Sequence, residues 1–199
     1  MKEARASGQP GRALLLQSRQ RVCQVDLRRL RRIVAAAIAA LPAEPKLNRP
    51  AGLSASAAQA CELGICLVAA REMSRINETY LRHRGSTDVL TFDYSADPAT
   101  GGWLGGEIFV CVDEAISQGR RLRTGWPSEL VRYVVHGLLH LQGFDDHHPA
   151  ARRQMKLEEN RLLRRLARRF DFSQLERLPR TKVGPKKARQ PLMETNDQR

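Results

Sequence analysis

Residues 135–148 read VHGLLHLQGFDDHH, from Val135 to His148, and hold four of the five histidines of the chain. Upstream, Pro127-Ser128-Glu129 is a helix start, with Ser128 the expected N-cap and Glu129 favourable in the first turn. Gly143 is the expected stop. On a helix between these points, His136 and His140 lie four residues apart, so their imidazoles share one face and can reach a single ion. Two histidines at that spacing also occur as ordinary polar or core residues, and the continuation is what favours a metal. Gly143 breaks the helix and lets the chain turn back, and Asp146 follows His140 by six residues, with Asp145, His147 and His148 crowded beside it. Several N and O donors are thus able to complete three protein ligands and leave a fourth position open.

The residue after His136 is Gly137, where an HExxH peptidase carries its glutamate base. A peptidase would need another base. A zinc-bound water, with a pKa of about 7, serves hydrolysis of a phosphodiester without one.

Outward from this segment, period and punctuation predict an α+β domain: one compact unit, a small mixed sheet packed by helices, with the zincin-like HxxxH helix among them. Ala13 to Leu16 reads as a strand. Asp26 caps an amphipathic helix in which Leu27, Leu30, Val34, Ile38 and Leu41 recur, ending at Pro42. Residues 42–57 are a Pro/Ala/Ser connector. Glu62 to Ala69 is a buried strand, a helix runs from Arg71 to Arg82, and strands cover Asp88–Tyr94 and Gly106–Val112. Asp113 is the expected cap of a helix reaching Arg121. The last helix, Pro149 to Phe170, buries Met155, Leu162, Leu163, Leu166 and Phe170 and exposes an arginine-rich face. Residues 1–11 read as a disordered extension, 12–172 as the domain, and 173–199 as a basic disordered tail.

Lys and Arg total 34 against 21 Asp and Glu, a formal net charge of +13, which favours an anionic partner, nucleic acid first and a membrane surface second. The longest clean apolar run, Val34 to Leu41, is far short of the roughly 18 residues of a membrane span. The four cysteines show no CxxC pair and read as reduced, buried thiols of a cytoplasmic protein.

HGLLHLQGFDD resembles the signature H-G-x-L-H-L-x-G-[YF]-D-[HD] of the YbeY family, bacterial rRNA maturation factors described as metal-dependent endoribonucleases. Three other stretches agree in order and spacing. SRINETYL (74–81) is similar to the family's L-N-x-x-Y helix end, STDVLTFDY (86–94) to its T-[DN]-V-L-[ST]-F strand, and LGGEIFVC (104–111) to its L-G-[DE]-I-x-[IV]-C strand. The resemblance covers about residues 13 to 170 and implies one Zn2+ per chain, held by His136, His140 and Asp146, with the two histidines acting in catalysis through the metal-bound water. It further implies a single-strand-specific endoribonuclease acting on precursor ribosomal RNA at the small ribosomal subunit, including late maturation of the 3′ end.

Two positions depart from the family pattern. The usual third ligand is a histidine, whereas Asp146 stands in register here and His147 one residue later. The arginine that commonly follows the family's tyrosine is Leu81 here, leaving Arg82 and Arg84 as the nearby candidates for substrate phosphate. Two other functions stand beside the nuclease: a non-catalytic ribosome-assembly or RNA-binding protein with a structural metal, and a metallopeptidase.

Overall fold

The computed structural model describes residues 13–42, 61–94 and 104–177. The expected extension at 1–11, the connector beyond Pro42 and the tail from 178 lie outside the described residues. Within them the order is β1 (Ala13–Ser18), α1 (Leu27–Ile38), β2 (Cys61–Val68), α2 (Ala70–Leu81), β3 (Val89–Asp93), β4 (Leu104–Cys111), α3 (Val112–Leu122), α4 (Trp126–Leu141) and α5 (Pro149–Ala167), followed by a 3-10 turn at Phe172–Leu175. The α+β expectation is met.

The described strands form one mixed sheet in the order β1-β2-β4-β3, with β1, β2 and β4 parallel and β3 antiparallel to β4. Period-two alternation gives the sheet two apolar faces. Leu16, Ile65 and Ile108 stand in register across β1, β2 and β4, with Thr91 of β3 opposite Ile108. This face carries the main core, where Leu16, Ile65, Ile108 and Val110 pack with Leu30, Val34, Leu138 and Leu162. On the other face Cys66, Val68, Leu90 and Cys111 pack with Met73 of α2. Helix α4 is apolar on most of its circumference because it lies between the sheet and the other helices. Leu130, Val131, Val135, Leu138 and Leu139 are all fully buried.

The helix ends differ from expectation in instructive ways. Helix α1 stops at Ile38, and Ala40 and Leu41 then bond three residues back at 2.9 and 3.3 Å. Pro42 disfavours helical backbone at the residue before it, so the last turn tightens. Helix α4 begins at Trp126 with Gly125 as N-cap, ahead of the expected Ser128, because Pro127 is tolerated at the first helical positions. Helix α3 begins at Val112, so Asp113 lies inside it. Its Oδ2 instead accepts the N–H of Ala70 at 2.7 Å, capping α2 from outside, since Ala69 has no capping side chain. Residues 173–177, expected in the tail, pack onto the domain. Leu175 is fully buried, its carbonyl accepts from Asp26 N at 2.8 Å, and Arg177 pairs with the Asp26 carboxylate at 3.1 Å. Among the described residues no helix is long and apolar enough to cross a membrane.

Candidate metal centre

The C-terminal end of α4 is built by glycines at three places. Gly137 lies against the sheet, where a Cβ would come within 2.7 Å of Ile108 Cγ2 and 3.2 Å of Thr91 Oγ1. Gly106 of β4 gives the same closeness to Leu141, whose Cδ2 lies 2.7 Å from the Cβ that position lacks. Gly143, with φ of 82°, closes the helix. There the N–H of Gly143 bonds to His140 O at 2.8 Å and that of Phe144 to Leu139 O at 3.0 Å, the paired bonds of a Schellman cap. The cap reverses the chain and brings Asp146 back beneath the helix.

Position 137 therefore faces the sheet core rather than the histidine site. A side chain at this position would run into Ile108 and Thr91, so the glutamate base of an HExxH peptidase has no room here.

His136 and His140 are held by their Nδ1 atoms. His140 Nδ1 lies 3.1 Å from the carbonyl oxygen of Phe144, and His136 Nδ1 lies 3.1 Å from Glu159 Oε2. A carbonyl only accepts, so His140 Nδ1 carries the hydrogen and donates it. Glu159 likewise accepts. Burial alone would raise its pKa, but hydrogen bonds from His136, Lys156 and Arg132 outweigh that and bring it down to about 2. Burial, then the neighbouring His136, holds His140 below the usual imidazole range, so it is neutral near pH 7.

The two Nε2 atoms lie 3.1 Å apart, and the neutral His140, with its hydrogen on Nδ1, presents a lone pair from its Nε2. Two nitrogens bound tetrahedrally to zinc stand about 3.3 Å apart, given bond lengths of about 2.0–2.1 Å. Asp146 Oδ2 completes the set, 3.9 Å from His136 Nε2. One ligand atom from each of His136, His140 and Asp146 lies within 4.8 Å of the others, which fits a divalent cation. An acceptor at the Nδ1 of each histidine is the usual support for a metal ligand.

His147 does not join this group. Its side chain is 85% exposed and its Nε2 faces Asp145 Oδ1 at 3.6 Å. His83 and His148 are exposed and apart from the cluster.

Beside the cluster opens a cleft of about 610 Å³, with His136 and Asp146 at one side and Arg132, Arg152, Lys156 and Glu159 along another. Arg132 bridges two buried carboxylates, 3.2 Å from Glu129 Oε2 and 2.7 Å from Glu159 Oε1. Arg82 ends α2 in left-handed backbone and is exposed, as is Arg84, and neither lines this cleft.

Sequence reasoning missed Glu159, although its position carried a signal. It lies on the buried stripe of α5 formed by Met155, Leu162 and Leu166, and it is 2% exposed, where an unpaired carboxylate would be costly. A charged residue on an apolar stripe implies a partner.

The Endoribonuclease YbeY family model matches residues 16–167. The Endoribonuclease YbeY of Chlorobium luteolum is 38% identical over 109 residues, covering 55% of this chain and 77% of that protein. Its counterpart in Chlorobium phaeovibrioides is 37% identical over 127 residues, covering 63% and 82%. Among solved structures, the solution structure of TM1509 from Thermotoga maritima matches with a TM-score of 0.51 over 77% of this chain and 89% of that one, at 18% identity, a likeness of fold.

Proposed function

This chain belongs to the YbeY family, and from that premise we propose that it is a zinc-dependent, single-strand-specific endoribonuclease of the cytoplasm that processes ribosomal RNA. Its proposed substrate is precursor RNA of the small ribosomal subunit, including the late 3′ end. The observation that carries the reading is the convergence of two Nε2 atoms and the Asp146 carboxylate, with the Nδ1 of each histidine beside an acceptor of its own.

His136, His140 and Asp146 would hold the ion, which when bound supplies a Lewis acid for cleavage of a phosphodiester. Glu159 keeps the His136 tautomer with its hydrogen on Nδ1, and the Phe144 carbonyl does the same for His140. The Asp146 carboxylate brings one negative charge to the site, while that of Glu159 is balanced by Arg132 and Lys156. The cleft gives a substrate strand room to reach the cluster, and Arg82 and Arg84 are proposed to meet the RNA backbone outside it.

The test is metal content per chain, with cleavage of a structured ribosomal RNA fragment scored on the same samples, for wild type, Asp146→Ala and His147→Ala. Asp146→Ala should lose both, and His147→Ala should keep both. A wild-type chain purified without metal, and unable to take up zinc, would end the proposal.

A further inference from the structure

Helices α1 and α5 lie side by side and run in opposite directions. Arg161 of α5 donates to Ala40 O just past the end of α1, at 2.9 Å, and Arg29 near the start of α1 donates to Gln174 in the 3-10 turn that follows α5. Arg161 and Arg165 also line a cleft with Ala39, Ala40 and Pro42. Both helices turn arginines outward along this seam. On α1 the buried side is Leu30, Ile33, Val34 and Ala37, and Arg28 and Arg32 lie opposite it, one turn apart. On α5, Arg165 and Arg168 continue the row that Arg161 begins. Lys156 and Arg165 are nine residues apart, about two and a half turns, so this row stands on the side of α5 away from the cleft of the histidine cluster.

We propose that this α1–α5 face docks the backbone of double-helical RNA at a distance from the histidine cluster. The choice of RNA among polyanions rests on the nuclease reading, whereas the binding of a polyanion does not.

The balance of charge on this face favours an anionic partner. Asp26 is paired with Arg29 and Arg177, Glu158 is paired with Arg161, and Asp171 accepts from Ser173 and Gln174. Glu176 is the acid that remains. Against it stand Arg28, Arg32, Arg165 and Arg168, all exposed and with no side-chain partner among the described residues. Guanidinium groups suit phosphate oxygens because their N–H donors form a planar fork. Rows on two packed helices, with axes about 8–10 Å apart, spread these donors over an area rather than a line, which suits phosphates on two strands. The aromatic rings nearby do not favour a single strand. Phe170 and Phe172 pack against the core, and Arg169 covers the Phe170 ring at 5.6 Å, so neither ring is free to stack on an unpaired base. The sequence after Arg177, which Asp26 anchors on this face, keeps the same sign: Arg180, Lys182, Lys186, Lys187 and Arg189 come before the next acid, Glu194.

The test uses the full chain and a fluorescein-labelled RNA hairpin with a long paired stem, titrated at several salt concentrations. Arg28→Gln/Arg32→Gln on α1 and Arg165→Gln/Arg168→Gln on α5 are compared with Arg71→Gln/Arg75→Gln. The last pair removes the same charge from exposed positions of α2, which packs on the other face of the sheet. Cleavage of a short single-stranded RNA is scored separately on every sample.

The α1 and α5 pairs should each bind the hairpin about tenfold more weakly and lower the slope of log K against log salt by about 1.8, two phosphate contacts at about 0.9 each. The α2 pair should stay near wild type. Equal losses in all three pairs, or wild-type binding by either the α1 or the α5 pair, would overturn the shared face. So would losses confined to vesicles of phosphatidylglycerol and phosphatidylcholine with hairpin binding intact, which would give the face to a membrane surface. Hairpin binding that depends on both pairs, with no cleavage by the wild type, would uphold the face while the nuclease reading fails. Cleavage by all four proteins, with hairpin binding indifferent to these arginines, would do the reverse.

Discussion

Glu159, on α5, places its Oε2 3.1 Å from Nδ1 of His136 on α4, while its Oε1 receives Arg132 and Lys156, each at 2.7 Å. One buried carboxylate thus ties the orientation of a histidine of the candidate site to two cations of the cleft. Replacing Glu159 by Gln keeps the size but lets the amide offer either O or N to His136, and the preference for hydrogen on Nδ1 is lost. Zinc affinity, measured by competition with a chromogenic chelator, should fall about 10- to 100-fold. An unchanged affinity would show that Glu159 serves only the fold.

The same residue sets an acid limit on stability. Its pKa falls from the ordinary 4.5 to about 2 in the folded chain. A lowered carboxylate pKa stabilises the fold fully above the unfolded value, and the stabilisation disappears as pH drops through the folded one. Metal-free protein should therefore lose about 3 kcal/mol of stability between pH 4.5 and 2 through this group, and the loss should be absent in Glu159→Gln. Denaturant midpoints across that range, compared between the two chains, check the sign.

Gly137→Ala sets two effects against each other. Alanine is better than glycine inside a helix by about 1 kcal/mol. Against that, the new Cβ would meet Ile108 Cγ2 at 2.7 Å and Cδ1 at 3.1 Å, and Ile108 is fully buried. Overpacking of this kind costs about 1–3 kcal/mol, so the net change should be a loss. We expect a thermal midpoint lower by a few degrees, with Gly137→Glu far worse and no gain of peptidase activity. A rise in midpoint for Gly137→Ala would show that α4 can lift off the sheet.

Removing the metal should leave the protein folded. The core around α4 is apolar and continuous, from Leu16 and Ile65 through Leu138 to Leu162, and none of it depends on an ion. Chelated protein and His140→Ala should keep full helical circular dichroism at 25 °C, unfold in one cooperative transition, and lack RNA cleavage. Loss of helix on chelation would favour the ribosome-assembly reading, in which the metal is structural.

Asp113 caps a helix that is not its own, so Asp113→Ala should weaken α2 rather than α3. The loss should be about 1 kcal/mol, the usual size for a missing cap. Amide exchange should quicken first at the start of α2, near Ala70 and Arg71, and faster exchange confined to α3 would contradict the assignment.

What the sequence determined by itself follows from local rules. His136 and His140 share a face because a helix repeats every 3.6 residues, and Gly143 ends that helix because its backbone takes positive φ without strain. The strands Ala13–Ser18, Cys61–Val68, Val89–Asp93 and Leu104–Cys111 were legible in their β-branched and apolar runs. The helix starts misjudged at Ser128 and Asp113 show the limit of such rules. A good capping side chain is taken up elsewhere when proline or a neighbouring helix supplies a better arrangement. Only the tertiary structure groups Asp146 with His136 and His140 on one side and with Asp145 and His147 on the other, since adjacent residues in a loop point in different directions according to how the reversed chain packs. Only it brought Glu159 to His136, 23 positions apart. Those relationships depend on how α4 and α5 pack against each other, and that packing is set by apolar residues distributed over the whole chain.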